Sequence, residues 1–306
     1  MKKPVIIDCD PGIDDAIALM VAVENDDELE LKAVTTVAGN QTLEHTCRNA
    51  RRILSYLGCD VPVGKGAVVP LKKTLQCAPE VHGEDGLSGM RIPQVEEDDD
   101  LVSAQTLLVS VLTEQEDDCE KAVIIATGPL TNLADLFINH PQLKENIDHI
   151  TLMGGSAGEG NASPYAEFNF FVDPDAANIV FSSGVPIIML GLDVTHRAYL
   201  TTEDVEMIGR RGTRNSDMVE DLMVTYGAYY QTTGLPGVPI HDASAVAFEL
   251  RPSLFTDVRP AHISIVTEGE RQGQSVVDFD GTPNAEIVLD VDREAFVKFI
   301  DSCCKH

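Results

Sequence analysis

The sequence predicts an α/β fold, an open, mostly parallel, doubly wound sheet with a Rossmann-like core and with added helices and loops over the site. Two observations predict it. Short runs rich in Val and Ile alternate with stretches whose apolar residues recur at helical spacing, the element order of a parallel sheet. Several of these runs also end in Gly, Asn or Asp, where a strand turns into the next helix. The chain has 306 residues, 43% of them hydrophobic, enough for a substantial core. It shows no repeat, low-complexity tract or linker, so one domain over 1–306 is expected.

In order, Val5, Ile6 and Ile7 read as a buried strand, and a helix begins at Asp14 (DDAIALMVAVEN). Glu28 to Asn40 has the β-branched enrichment of a second strand; Gln41 to Leu57 reads as a helix and VPVG as a short strand. Gly64 to Asp100, which includes HGEDGLSG, breaks the rhythm with Pro, Gly and charge, and a loop of that length reads as a flap over a site. A helix from Leu101 to Gln115, a strand from Lys121 to Thr127, a helix over GPLTNLADLF and a strand from His149 to Gly155 restore it. Ser156 to Ala177 is too polar and turn-rich for one element. A helix from Asp175 to Ser182 and a strand over VPIIMLGLDV follow. Thr201 to Gln231 is mainly helical, and His241 and Asp242 open a further helix. Strands near His262 to Thr267, Ser275 to Phe279 and Ile287 to Val291 precede a last helix from Arg293.

The formal net charge of −28 disfavours a nucleic-acid partner, since binding to a phosphate backbone relies on Lys and Arg. No apolar run approaches the roughly 20 residues that span a bilayer, and the three-residue apolar run after the first lysines is no signal peptide. A cytoplasmic protein with no membrane partner is expected. The seven cysteines form an odd set without a C-x-x-C pair, which argues for reduced, structural thiols. Cys9 lies beside an acidic run, but strand alternation turns it away, toward a buried apolar role.

That acidic run, DCDPGIDD, is a strand-to-helix junction. Asp8 and Asp10 leave a strand on the same side, and Pro11 and Gly12 turn the backbone so that Asp14 and Asp15 swing back. Four carboxylates so close repel one another unless a cation sits between them, and an oxygen-rich pocket suits Ca²⁺ or Mg²⁺. A solvated acidic turn capping a helix is the plainer alternative. An EF-hand is excluded, because counting from Asp8 the sixth position is Ile13 and the twelfth Leu19. Ligands of open parallel sheets bind beyond the carboxyl ends of the strands. DCDPGIDD, VAGN, ATGP, MGGS and the loop before His241 all belong there, and they gather Asp10, Asp15, Asn40, Thr127, Asn161, Glu167, Asn169, His241 and Asp242. Taken alone, His241 also reads as a packed or capping histidine, His82 as an exposed loop residue, and Tyr226 and Tyr230 as core or rim.

DCDPGIDD, VAGN, ATGPLTN, MGGSAGEGN, AEFNFFVDPDAA and HDA, in this order and spread over most of the chain, resemble the nucleoside N-ribohydrolase family. The resemblance implies a Ca²⁺ held by Asp10, Asp15, the main-chain carbonyl of Thr127 and Asp242, with a water and two ribose hydroxyls completing its shell. It implies that Asp10 takes a proton from that water, that Asn161, Glu167 and Asn169 grip the ribose, and that Asp14 contacts a ribose hydroxyl. His241 falls where the family places a residue near the leaving base, and His82, Tyr226 and Tyr230 fall where members differ in base contacts. It further implies a homodimer or homotetramer and leans toward the broad-specificity branch, which takes purine and pyrimidine ribonucleosides in salvage. Near the C-terminus DFDGTPNAEI lacks a Lys that the family often has after the glycine, which bears on a surface or packing contact.

Two rivals are weighed against this. A haloacid-dehalogenase-type phosphatase needs Thr or Val where Gly12 stands and a later G-D-x-x-x-D that does not occur. A non-catalytic nucleoside- or ribose-binding protein would be marked by loss of the base or of a ribose-gripping residue, yet Asp10, Asp15, Asn169 and Asp242 are all present. The acidic motifs contain no Lys or Arg and no phosphate-cradling loop occurs, so free ribonucleosides rather than nucleotides are the expected substrates.

Overall fold

The first part of the chain forms β1 (Lys3–Cys9), α1 (Ile13–Val23), β2 (Leu29–Thr36), α2 (Leu43–Leu57), β3 (Val63–Lys65) and the short α3 (Pro79–His82). Next come α4 (Ala104–Asp118), β4 (Ala122–Ala126), α5 (Thr131–Asn139), β5 (Ile147–Met153), α6 (Phe168–Val172), α7 (Pro174–Phe181), β6 (Ile187–Leu190) and α8 (Leu192–Thr195). The remainder gives β7 (Tyr199–Leu200), α9 (Thr202–Gly209), α10 (Arg214–Tyr230), β8 (Val238–Pro239), α11 (His241–Leu250), β9 (Phe255–Ile265), β10 (Ser275–Asp278), β11 (Ala285–Val291) and α12 (Arg293–Cys303). The structure is a computed structural model and describes residues 2–87, 90, 92–95, 101–118 and 120–306. The remaining parts of the expected Gly64 to Asp100 flap, with the end of HGEDGLSG, lie outside the described residues, as does Cys119.

Nine strands share one sheet in the order β10-β9-β11-β6-β5-β4-β1-β2-β3, and β7 and β8 pair separately. Every pairing from β3 across to β11 is parallel, while β9 runs antiparallel to β11 and β10 to β9. The α/β class with a mostly parallel, doubly wound sheet is therefore borne out. The chain builds outward from β1 through β2 to β3 and then returns to lay β4 against the other side of β1, so the order reverses between β1 and β4. Such a switch point opens a crevice at the carboxyl ends of the two strands.

The pleat divides the core between the two faces of the sheet. On β1, Val5, Ile7 and Cys9 join one cluster with α1, α10, α11 and α12, whereas Ile6 joins the other with Leu108, Leu133 and Val180. Each such aliphatic side chain, fully withdrawn from water, contributes about 1.5–3 kcal/mol. Helix α1 is buried from Ile13 through Ala22, as a helix apolar on all sides must be, and it packs against α11. At its far end α11 presents Glu249 to the amino-terminal edge of the sheet. There the carboxylate accepts hydrogen bonds from Lys3 Nζ at 2.6 Å and Thr151 Oγ1 at 2.5 Å, and meets His149 Nε2 at 2.8 Å. None of the described helices is long and apolar enough to cross a membrane.

Three expectations are corrected. The run VPIIMLGLDV is not one strand: β6 stops at Leu190, and after the extended Gly191 the backbone turns into α8. The strand expected near His262 begins at Phe255, because Thr256, Asp257, Arg259 and Pro260 mask an alternation whose outer positions face solvent. The stretch from Glu28 to Asn40 is strand only to Thr36, after which Val37 to Gln41 form the loop at its carboxyl end. The expected flap is anchored where it is described: Asn49 Nδ2 donates to the Asp85 carbonyl at 2.7 Å and Gln41 Nε2 to the Gly83 carbonyl at 2.8 Å.

Candidate active site

Asp10 follows the end of β1, and Asp14 and Asp15 occupy the first turn of α1. The Gly12 N–H donates to Asp15 Oδ2 at 2.9 Å, and Thr127 Oγ1, just past β4, donates to Asp15 Oδ1 at 2.8 Å. Asn40, in the loop after β2, donates its backbone N–H to Asp10 Oδ2 at 2.7 Å and its side-chain amide to the Asp10 carbonyl at 3.2 Å. Asp242 enters from the first turn of α11. Asp14, Asp15 and Asp242 each offer a carboxylate oxygen, and these oxygens lie within 4.8 Å of one another. The crevice at the switch point is thus lined with acid.

Asp8 does not join this cluster: it accepts from Thr35 Oγ1 and from Asn132 Nδ2 at 2.7 Å. Cys9 is buried with Sγ against the Thr35 carbonyl, and burial followed by the surrounding carboxylates pushes its thiol well above the usual range.

Glycines let the strand ends close on Asp10. A Cβ on Gly39 would run into Asp10 Oδ2 and come within 2.7 Å of Pro129 Cδ, and one on Gly128 would lie 2.8 Å from Asp10 Oδ1. Gly155, with φ of +71°, turns the chain after β5 in a conformation that side chains rarely adopt. Its N–H donates to Glu167 Oε2 at 2.9 Å. Glu167 also caps α6, accepting from the backbone of Asn169 and Phe170. Asn169 Nδ2 donates to the Thr127 carbonyl at 2.8 Å and to the Met153 carbonyl at 3.1 Å, and Asn161, exposed at the rim, holds the Phe168 N–H through Oδ1 at 2.9 Å.

The opposite wall is aromatic. α3 supplies His82 and α10 supplies Tyr226, Tyr229 and Tyr230; the rings of His82 and Tyr226 lie 5.7 Å apart, and Tyr226 meets Tyr230 edge-on at 4.9 Å. His82 is buried rather than exposed, accepts from the Ile13 N–H at 3.2 Å, and is lowered by burial to a pKa of about 4. His241 has both ring nitrogens engaged, Nε2 with Tyr230 Oη and Nδ1 with Thr195 Oγ1, each at 2.8 Å. The cavity between these walls encloses about 500 Å³. Asp14, Asn40, His82, Thr127, Asn161, Glu167, Asn169, Tyr226, Tyr230, His241 and Asp242 line it, and Asp10 and Asp15 lie beneath its surface, both fully buried. Phe168, Phe171 and Cys77 also line it, and Thr195 stands behind His241; none of these four was expected. The FNFF run gave a signal for the two phenylalanines, whereas Cys77 and Thr195 carry none.

The acidic residues fit a hard divalent cation. Burial, and then repulsion among the group, raises Asp10 and Asp242 well above the carboxylate range and takes Asp14 to about 7; burial also raises Asp15, and Glu167 to about 7. Among the described residues no Lys or Arg lines the cavity, and Asp10 Oδ1 is buried without a hydrogen-bond partner. Buried carboxylates lacking a counter-charge call for one, and oxygen donors suit a hard ion.

The family model described as inosine-uridine preferring nucleoside hydrolase matches residues 5–298. The chain belongs to this family. It is therefore an N-glycosyl hydrolase that acts on ribonucleosides, and nucleoside hydrolases are metal-dependent enzymes. The chain is 45% identical to the pyrimidine-specific ribonucleoside hydrolase RihA of Klebsiella pneumoniae subsp. pneumoniae and 43% to RihA of Escherichia coli. Both alignments cover 98% of this chain and 97% of the relative. Among solved nucleoside hydrolases, a plant enzyme superposes with a TM-score of 0.91 at 30% identity, and a purine-preferring ribonucleoside hydrolase from Gardnerella vaginalis with 0.90 at 31%. Each of these superpositions covers 99% of both chains.

Proposed function

We propose that this nucleoside hydrolase uses Ca²⁺ and cleaves the N-glycosidic bond of purine and pyrimidine ribonucleosides alike, releasing ribose and free base for salvage. The observation that carries the reading is one cavity with two unlike walls: buried carboxylates on one side, and an aromatic side where Tyr230 Oη meets His241 Nε2 at 2.8 Å. Asp10, Asp15, Asp242 and the Thr127 carbonyl are the proposed ligands, with Asp14 close enough to share the site. This all-oxygen, carboxylate-rich set favours Ca²⁺, which takes six to eight oxygens, over Mg²⁺, which keeps most of its water. When bound, such a cation lowers the pKa of a water and accepts the ribose diol oxygens.

Bond breaking proceeds through an oxocarbenium-like ribosyl cation, which an anionic cavity stabilises. Asp10, oriented by the Asn40 N–H, keeps Oδ1 free of hydrogen bonds within the protein, which leaves it to take a proton from the attacking water. Glu167, Asn169 and Asn161 bind the sugar, each oriented by backbone groups. His82, Tyr226 and Tyr230 face the base, and the contact between Tyr230 and His241 offers a route for a proton to the departing nitrogen. The six described cysteines are free, which suits a reducing, cytoplasmic setting. A homodimer or homotetramer completes the proposal and is read by light scattering.

A ribose-release panel of uridine, cytidine, inosine and adenosine tests the base range, and cleavage of both uridine and inosine is expected. The high identity to pyrimidine-specific relatives favours a second reading, selected if uridine is cleaved and inosine is not. Inosine 5′-monophosphate should be poor, because its phosphate brings roughly −2 more charge to a cavity lined with carboxylates. 2′-Deoxyinosine should be poor for want of one diol oxygen.

A further inference from the structure

A neutral imidazole carries one N–H, so of the two hydrogen bonds made by His241, one runs into the ring and the other out. Thr195 ends α8 and is fully buried, and among the described residues its hydroxyl has His241 Nδ1 as its hydrogen-bond partner. Were Nδ1 the donor, the hydroxyl hydrogen would be buried with no acceptor, which forfeits its hydration without return.

We infer that Thr195 sets the direction of this chain: its hydroxyl donates to Nδ1, His241 carries its proton on Nε2 and donates it to the Tyr230 oxygen, which the adjacent Tyr226 hydroxyl also meets, and the Tyr230 O–H is left to donate on the cavity side. In the reverse arrangement the phenol proton would point at the imidazole and away from the base. Thr195 does not line the cavity, so it acts as a positioning residue for the leaving-group proton. The assignment rests on the hydrolase reading above and adds the direction in which the proton travels. The step balances. Cleavage leaves the bonding electron pair on the base nitrogen, which takes the Tyr230 hydroxyl proton. The Nε2–H of His241 holds the phenolate so formed, and the phenolate regains a proton from solvent as Asp10 releases the one taken from water.

Two measurements on the metal-loaded enzyme test this. Histidine-selective ¹⁵N NMR of the unaltered protein, with His241→Gln to assign the signal, should show His241 as the Nε2–H tautomer, and Thr195→Val should lose that pattern. In turnover, Thr195→Val should lower kcat on the better of inosine and uridine by about 10-fold or more, within the range of acid catalysis. KM and the hydrolysis of p-nitrophenyl riboside, whose leaving group needs no proton, should stay near the unaltered values, and Thr195→Ser should recover most of the lost turnover. An Nδ1–H signal in the unaltered protein, equal loss on both substrates, or undiminished turnover of the natural riboside by Thr195→Val would each overturn the assignment. Failure of the wider reading shows separately, as no ribose release by the unaltered enzyme, and the NMR result decides the role of Thr195 in either case.

Discussion

The Asn40 backbone N–H holds Asp10 Oδ2 at 2.7 Å, and the other oxygen of Asp10 is left buried and unpaired. A carboxylate fixed through one oxygen and unpaired at the other is oriented for proton transfer. Asp10→Ala should therefore lose nearly all turnover, by about 10²-fold at the least for removal of a general base. Its fold should survive, because the change also removes one of several mutually repelling buried charges. Ribose release and circular dichroism check both halves, and ribose release by the variant at the unaltered rate would remove Asp10 from the mechanism.

Metal removal should be visible without any substrate. A chelator should abolish activity and lower the melting temperature, and Ca²⁺ should restore both, since a ligand at 100 times its Kd stabilises the native state by about 2.7 kcal/mol. Differential scanning fluorimetry across a Ca²⁺ titration gives the readout. A melting temperature indifferent to chelator and to Ca²⁺ would leave the acidic cluster without a cation.

Gly39→Ala should act on Asp10 from outside the acidic cluster. The new methyl would run into Asp10 Oδ2 and lie 2.7 Å from Pro129 Cδ, part of a rigid ring, so the backbone must yield. Overpacking of this kind costs about 1–3 kcal/mol. A loss of kcat accompanied by a lower melting temperature is expected; full activity would mean that the loop after β2 does not position Asp10.

One part of the pH dependence of stability is set far from the cavity. Burial alone would raise Glu249, but hydrogen bonds from His149, Lys3 and Thr151 outweigh it and lower its pKa from 4.5 to about 2. A lowered carboxylate stabilises the fold above its unfolded pKa, so that part is lost as pH falls from 4.5 toward about 2. Burial would lower His149, yet Glu249 and Asp148 raise it above 6.5, so its contribution is complete below 6.5 and lost as pH rises through the raised value. The acid limb amounts to about 3 kcal/mol, and Glu249→Gln should flatten it in urea unfolding followed across pH. An unchanged acid limb in that variant would count against the network.

The acidic half of the site was legible because DCDPGIDD compresses much of it into one strand-to-helix turn, where closely spaced carboxylates suit a cation. Asp242 stands in an ordinary-looking HDA; sheet topology brought it toward Asp10, and the family resemblance gave it a role as a ligand. Thr195, Cys77 and the inward face of His82 were not legible, since each depends on which distant element lies opposite. The departure of Asp8 from the cluster turned on Thr35 and Asn132, which come from distant elements to hold it, and local spacing does not show them. β9 hid its first half for a related reason: at the antiparallel end of the sheet one face meets water, so polar residues and Pro260 dilute the apolar signal.

Helix α11 starts at the cavity with His241 and Asp242 and carries in its last turn Glu249, which grips Lys3 from 246 positions away. This has a consequence for how the enzyme comes into being on the ribosome. Asp10, Asp14 and Asp15 are made long before Asp242, and they wait, at about 5–20 residues per second, for the segment that completes their site. Contacts so distant in sequence also form late, because closing a long loop must precede any gain from it. A nascent chain should therefore be inert toward nucleosides until α11 has been made and has packed against α1.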